Sequence, residues 1–153
     1  MSCGDASALE GFRGGLIGLP LSHLWRGYGS AIFLQFGRLT PHTRPSGEAG
    51  NPRGEFGLMI EWSWRIENAV SILCGSWSEQ PLWKPSFDLL QNKAVVEVSV
   101  FGRLPEISVA LSDGFFVSSF MTAEGDPRWV LFDRRPGTER SLSVRGGTLL
   151  IKD

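Results

Sequence analysis

The chain has few of the residues from which most recognisable sites are built: among 153 residues there are two cysteines, two histidines and one tyrosine. His23, His42, Cys3 and Cys74 show none of the close pairings that place two ligands on one turn or strand, so neither a metal site nor a cofactor is expected. Cys3 and Cys74, 71 positions apart, fit a reducing compartment better than a disulfide framework. Charge of one sign is missing as well. Fifteen basic and 16 acidic residues leave a formal charge of -1, which creates no field to draw in nucleic acid or an anionic membrane. No apolar run approaches the ~20 residues that span a bilayer. The N-terminus, with Asp5 and Glu10, lacks the basic start and sustained apolar stretch of a secretory signal. The expectation is a cytoplasmic protein with no membrane or nucleic-acid partner.

Motifs of nucleotide and nucleophile chemistry also fall short. Gly27-Tyr28-Gly29-Ser30-Ala31-Ile32 lacks the final glycine of a dinucleotide fingerprint and runs into strand-like sequence where that fingerprint needs a helix. Gly11 to Gly18 contains four glycines without the Gly-Lys-Ser/Thr ending of a phosphate loop. Ser76 in Cys74-Gly75-Ser76-Trp77 has no nucleophile elbow around it. Cys74 falls in phase with Val70 and Ile72, as a small buried apolar residue would. No catalytic residue is assigned. An enzyme would have to assemble its site from His23, Cys74, Glu61 and Glu67.

What the chain does have is period-two alternation. From Phe56 to Ile66 every second residue is apolar (Phe56, Leu58, Ile60, Trp62, Trp64, Ile66), which predicts one long antiparallel strand with a buried and a wet face, Trp62 and Trp64 side by side on the buried one. Val70, Ile72 and Cys74 repeat the pattern, as do Val96, Val98 and Val100, then Ile107, Val109 and Leu111. Asp113-Gly114 and Gly146-Gly147 are hairpin turns, since both central positions want positive φ. Ala31–Phe36, Phe115–Met121, Trp129–Phe132, Ser141–Val144 and Thr148–Lys152 complete the strands, and Phe87–Leu90 can make one helical turn. His23 to Gly29 reads as a turn or bulged lead-in.

The fold class is therefore mainly β, α+β at most: an antiparallel meander of about nine strands closed into a sandwich or bent barrel, with one short helix. Residues 1–14 read as a flexible N-terminal arm and 15–153 as a single β-rich domain. Between Gly37 and Gly54, prolines and glycines stand among Arg38, Arg44, Arg53 and His42, with nothing to bury. This reads as a mobile loop over 38–54, and a connection of that length is normally either disordered or used in interaction. Ala31–Phe36, if left as an uncovered edge, could pair with a second copy in a homodimer.

Six tryptophans are the one compositional excess. Trp77 and Trp83 lie in the irregular proline-containing segment and read as exposed at a partner surface, where tryptophan is enriched in hot spots. Glu61, Arg65 and Glu67 share the wet face of the long strand, with cross-strand pairing to Arg26, Gln35 or Glu97 as their expected fate. Arg26, Glu61, Arg65, Glu67, Trp77 and Trp83 are the candidate binding residues.

At Leu21-Ser22-His23-Leu24-Trp25-Arg26, Phe33-Leu34-Gln35-Phe36-Gly37, Gly54-Glu55-Phe56 and Ile60-Glu61-Trp62-Ser63-Trp64-Arg65-Ile66, the chain resembles small bacterial β-rich proteins of an immunity-protein-like kind, in which a strand ending in Trp-Arg follows a Phe-Gly strand. Ile107 to Phe120 and Trp129-Val130-Leu131 resemble their second half, so the likeness spans most of residues 16–150. It implies a non-enzymatic module that binds another protein and carries over no assigned activity. The alternative from the residues themselves is a small-ligand-binding barrel with a cavity lined by Phe36, Trp62 and Trp64.

Overall fold

The computed structural model of the chain describes residues 3–153, in the order α1 (Cys3–Leu16), β1 (Leu21–Arg26), β2 (Ile32–Phe36), β3 (Phe56–Ile60), β4 (Trp64–Glu67), β5 (Ile72–Gly75), α2 (Trp83–Leu90), β6 (Val95–Phe101), β7 (Glu106–Leu111), β8 (Phe115–Ser119), β9 (Trp129–Asp133), β10 (Arg140–Arg145) and β11 (Thr148–Lys152). The strands form two antiparallel sheets, one of six strands ordered β1-β2-β3-β9-β10-β11 and one of five ordered β5-β4-β8-β7-β6. Their inner faces enclose one apolar core, the arrangement of a β-sandwich; the described residues form no closed barrel. No helix among them is long and apolar enough to cross a membrane.

The alternating stretch from Phe56 to Ile66 is two strands and not one: β3 belongs to the six-stranded sheet and β4 to the five-stranded sheet. The chain turns at Glu61-Trp62-Ser63, where Glu61 N–H donates to Arg128 O at 2.9 Å and Ser30 Oγ donates to Trp62 O at 2.9 Å. A strand that bends from one sheet to the facing one keeps its apolar side toward the same core. Alternation therefore runs unbroken through the corner. Trp64 is buried, whereas Trp62 is half-buried at the bend, so the expected indole ladder does not form.

Residues 3–16 form a helix instead of the loose arm expected there; residues 1 and 2 of that arm lie outside the described residues. Leu9, Phe12 and Leu16 recur at helical spacing and are all buried. The glycines that hide this stripe from a propensity reading have a packing role. A Cβ on Gly11 would come 2.4 Å from Arg140 Nη2, and one on Gly15 would come 2.7 Å from both Arg135 Nη1 and Phe56 Cζ. Helix α1 packs against β6 and β11, and α2 against β5 and β1, so each helix meets an edge strand of both sheets.

The expected turn at Phe87–Leu90 is the second half of α2, which carries Trp83 into the core. Trp83 meets Trp64 edge-on at 5.0 Å between ring centroids and donates from Nε1 to Ser78 O at 3.0 Å. The first half of the expected lead-in at His23 to Gly29 belongs instead to strand β1, which has a register shift between Leu21 and His23. Its pairing makes β2 an interior strand, which removes Ala31–Phe36 as a dimerising edge. At Val70 the alternation belongs to a turn: Asn68 Oδ1 accepts from the amides of Val70 and Ser71, and Val70 projects outward. A bulge between Val95 and Glu97 likewise buries Val95 and turns Val96 out. Both glycine turns form, with Asp113 and Gly114 at φ 66° and 78°, and Gly146 and Gly147 at 57° and 76°.

Candidate functional site

Strand alternation sets the floor of the site. In β2, Ile32, Leu34 and Phe36 enter the core, which turns Phe33 and Gln35 to the outer face of the six-stranded sheet. Past the bulge in β1, Trp25 lies opposite Phe33, and the two rings stack at 4.8 Å with planes 9° apart. His23 extends the row at 5.4 Å from Trp25. On the other side, Leu131 and Asp133 of β9 point inward, leaving Phe132 and the following Arg134 on the outer face. Gly57 opens the space that Arg134 fills, because a Cβ there would lie 2.6 Å from Arg134 Nη1.

The roof is the segment 38–54. It folds back on itself as a hairpin-like excursion, with bridges between Thr40 and Arg53 and between Thr43 and Ala49. Reciprocal bonds close its base, Thr40 N to Arg53 O at 2.7 Å and Arg53 N to Thr40 O at 2.9 Å. Asn51 Oδ1 lies 3.0 Å from His23 Nε2 and ties roof to floor. Between them is a cleft of about 410 Å³ lined by Trp25, Phe33, Gln35, His42, Arg44, Gly50, Asn51, Arg53, Phe132 and Arg134.

The lining is aromatic and cationic, and it contains no acid. Arg134 Nη1 donates to Gln35 Oε1 at 2.8 Å, and its guanidinium stands 5.0 Å over the Phe132 ring. Gln35 is buried, and the same Oε1 accepts from Gly54 N–H at 2.9 Å, so the floor amide that orients Arg134 is itself held. Burial, and after it repulsion from Arg53, lowers the Arg134 pKa to about 10. Arg53 Nη2 lies 3.3 Å from His42 Nε2, and since a guanidinium only donates, the imidazole nitrogen is the acceptor. Among the described residues, Arg44, Arg53 and Arg134 make no ion pair within 4.0 Å. Glu55 lines an adjoining depression that Arg53 and Arg134 also border, and its Oε2 there accepts the amide of Arg38 at 2.8 Å. Permanent cations in a half-buried, acid-free concavity favour an anion there.

The residues singled out from the sequence lie elsewhere. Arg26 donates from Nε to Gly29 O at 2.8 Å and places its guanidinium 4.6 Å over the ring of Trp83. Trp83 is a core residue and no partner surface, because its helix packs it against Trp64. Arg65 pairs with Glu67 on its own strand at 2.7 Å, and Glu61 is separated from both by the corner. Of the partners expected for these charges, Gln35 is engaged with Arg134 and Glu97 with Arg13. Trp77 is 91% exposed, as its irregular setting suggested, and shares a shallow groove with Arg65, Ile72 and Phe120.

Phe36 and Trp64 are both packed in the core, so the cavity expected between them and Trp62 is filled. His23 stands on the outer face of one sheet while Cys74 is buried in β5 of the other. Among the described residues no three His, Cys, Asp or Glu side chains converge as metal ligands. Of the missed residues, His42, Arg44 and Arg53 had one visible signal, arginines and a histidine set in a long proline- and glycine-rich connection, whereas Arg134, just after β9, had none. Comparison with known protein families, with curated proteins and with solved structures gives no match for this chain.

Proposed function

We propose that this protein is a small-ligand binder that captures an anionic molecule in the cleft between the six-stranded sheet and the 38–54 segment. The observation that carries this reading is Arg134, half-buried in one cleft with Arg53, with its Nη1 directed to a neutral amide and no carboxylate within 4.0 Å of its guanidinium. Leaving such a charge uncompensated costs stability, and a bound anion removes that cost. The cleft volume lies within the range of small-molecule sites. The ligand-binding alternative raised by the sequence thus moves from the interior to an outer face.

The test is thermal unfolding and calorimetric titration with phosphate, sulfate, benzoate and phenyl phosphate. At least one anion is expected to raise the melting temperature in a concentration-dependent way. The double variant Arg53→Gln/Arg134→Gln should lose that rise. A rise of equal size in the variant would count against this cleft.

A second reading, contact with another protein, is supported by the groove beside β5. Trp77 is 91% exposed and shares this groove with Ile72 and Phe120, both also exposed, which places three large apolar side chains on one open surface. Trp77→Ala with Arg65→Glu should abolish capture of a cognate protein in a pull-down and leave the melting temperature within a few degrees. Unchanged capture would remove the surface from consideration.

A further inference from the structure

We infer that the ligand is an organic phosphomonoester, its doubly charged phosphate seated against Arg53 and Arg134 and its apolar body lying along Trp25, Phe33 and Phe132. The inference rests on the anion-binding reading and adds to it the charge and chemical class of the ligand.

Charge comes first. Arg44, Arg53 and Arg134 line one cleft without an acidic neighbour in its lining. A carboxylate or sulfate ester offsets one of these cations, whereas a phosphomonoester carries about two charges above its second pKa of about 6 and presents three acceptor oxygens. Arg53 and Arg134 line the same cleft, so a dianion placed at both relieves their mutual repulsion as well as making new bonds.

Donor geometry agrees with this. Gln35 Oε1 takes Arg134 Nη1, and no acceptor among the described residues takes Nη2 or Nε. The guanidinium is therefore held in one orientation with donors to spare, the fork that suits phosphate oxygens. Size supplies the rest. A bare inorganic ion would leave most of the 410 Å³ empty, and the remaining wall is aromatic, suited to an apolar body.

Phenyl phosphate and phenyl sulfate share a shape and differ by one charge at pH 8, which makes them the discriminating probes. Titration of the intact protein should give phenyl phosphate about tenfold tighter binding than phenyl sulfate, the ratio expected when the same oxygens carry one more negative charge toward two guanidinium groups. Inorganic phosphate should bind more weakly than phenyl phosphate. Arg53→Gln, on the roof and away from the Gln35 bond, should weaken the phosphate ester more than the sulfate ester. Equal affinity for the two esters would overturn the dianion and leave the anion site standing; inorganic phosphate binding as tightly as phenyl phosphate would overturn the apolar body. Binding of none of these anions by the unaltered protein would remove both this inference and the reading beneath it.

Discussion

Arg134 and Arg135 are adjacent in the chain and sit on opposite sides of the six-stranded sheet. Arg135 turns toward α1, where Nε and Nη2 form a two-pronged pair with Asp133 at 3.0 and 2.8 Å and the guanidinium lies 4.8 Å over Phe56. Arg140 adds a third member, 3.9 Å from the same carboxylate and 4.6 Å over Phe12. Arg134 turns to the cleft and meets a neutral amide and another arginine. One side is a closed ionic cluster under a helix. The other is an open cationic site, and the contrast separates charge used for folding from charge left available for a ligand.

Asp133 is the position at which that contrast breaks most visibly. Its side chain is fully buried; burial opposes its ionisation, but hydrogen bonds from the Arg135 side chain and amide and the charges of Arg135 and Arg140 outweigh this, so its pKa falls below the ordinary value. Asp133→Ala should cost about 3 kcal/mol in denaturant unfolding, the usual scale for removing one partner of a buried pair. Because the folded-state pKa is depressed, the cluster's contribution is complete above the unfolded carboxylate pKa of about 3.9 and is lost as pH falls through the lower folded value. Asp133→Asn should therefore flatten the acid limb of the stability curve. An unchanged limb would show that other carboxylates set it.

Gly15 and Gly14 sharpen the same comparison from the helix side. Alanine at Gly15 would meet Phe56 Cζ and Arg135 Nη1, each at 2.7 Å, whereas alanine at Gly14 meets nothing within 4 Å. Gly15→Ala should destabilise by about 1–3 kcal/mol through overpacking. Gly14→Ala should stabilise by about 0.5–1 kcal/mol, the propensity gain alone. Equal effects at the two positions would mean that α1 does not rest on the ionic cluster.

The smallest stability effect belongs to the cleft. Arg53→Gln relieves repulsion with Arg134 and breaks no ion pair, so unfolding should shift by no more than about 0.5 kcal/mol, measured by chemical denaturation without added anion. A loss several times larger would place Arg53 among the groups that hold the fold, not among those that await a ligand.

How far these features could be read in advance depended on how local their causes are. Asp113-Gly114 and Gly146-Gly147 needed only their own backbone preferences, and both turns formed where expected. The corner at Glu61-Trp62-Ser63 left no mark, because the two sheets share one core and the apolar side never changes. Helix α1 was obscured by glycines whose purpose is contact with Arg135 and Arg140, more than a hundred residues away in the chain. Trp83 shows a related effect: its setting among prolines predicts exposure, and only the packing of α2 onto Trp64 buries it.

The amino-acid sequence by itself determined a β-rich chain with tight glycine turns, because alternation and positive φ are short-range properties that act the same in any context. Tertiary structure alone decided which of two adjacent arginines would be neutralised and which left facing a cleft. The pleat sends neighbours to opposite faces, and what waits on each face, Asp133 beneath α1 or Arg53 beneath the 38–54 roof, is brought there by distant parts of the chain.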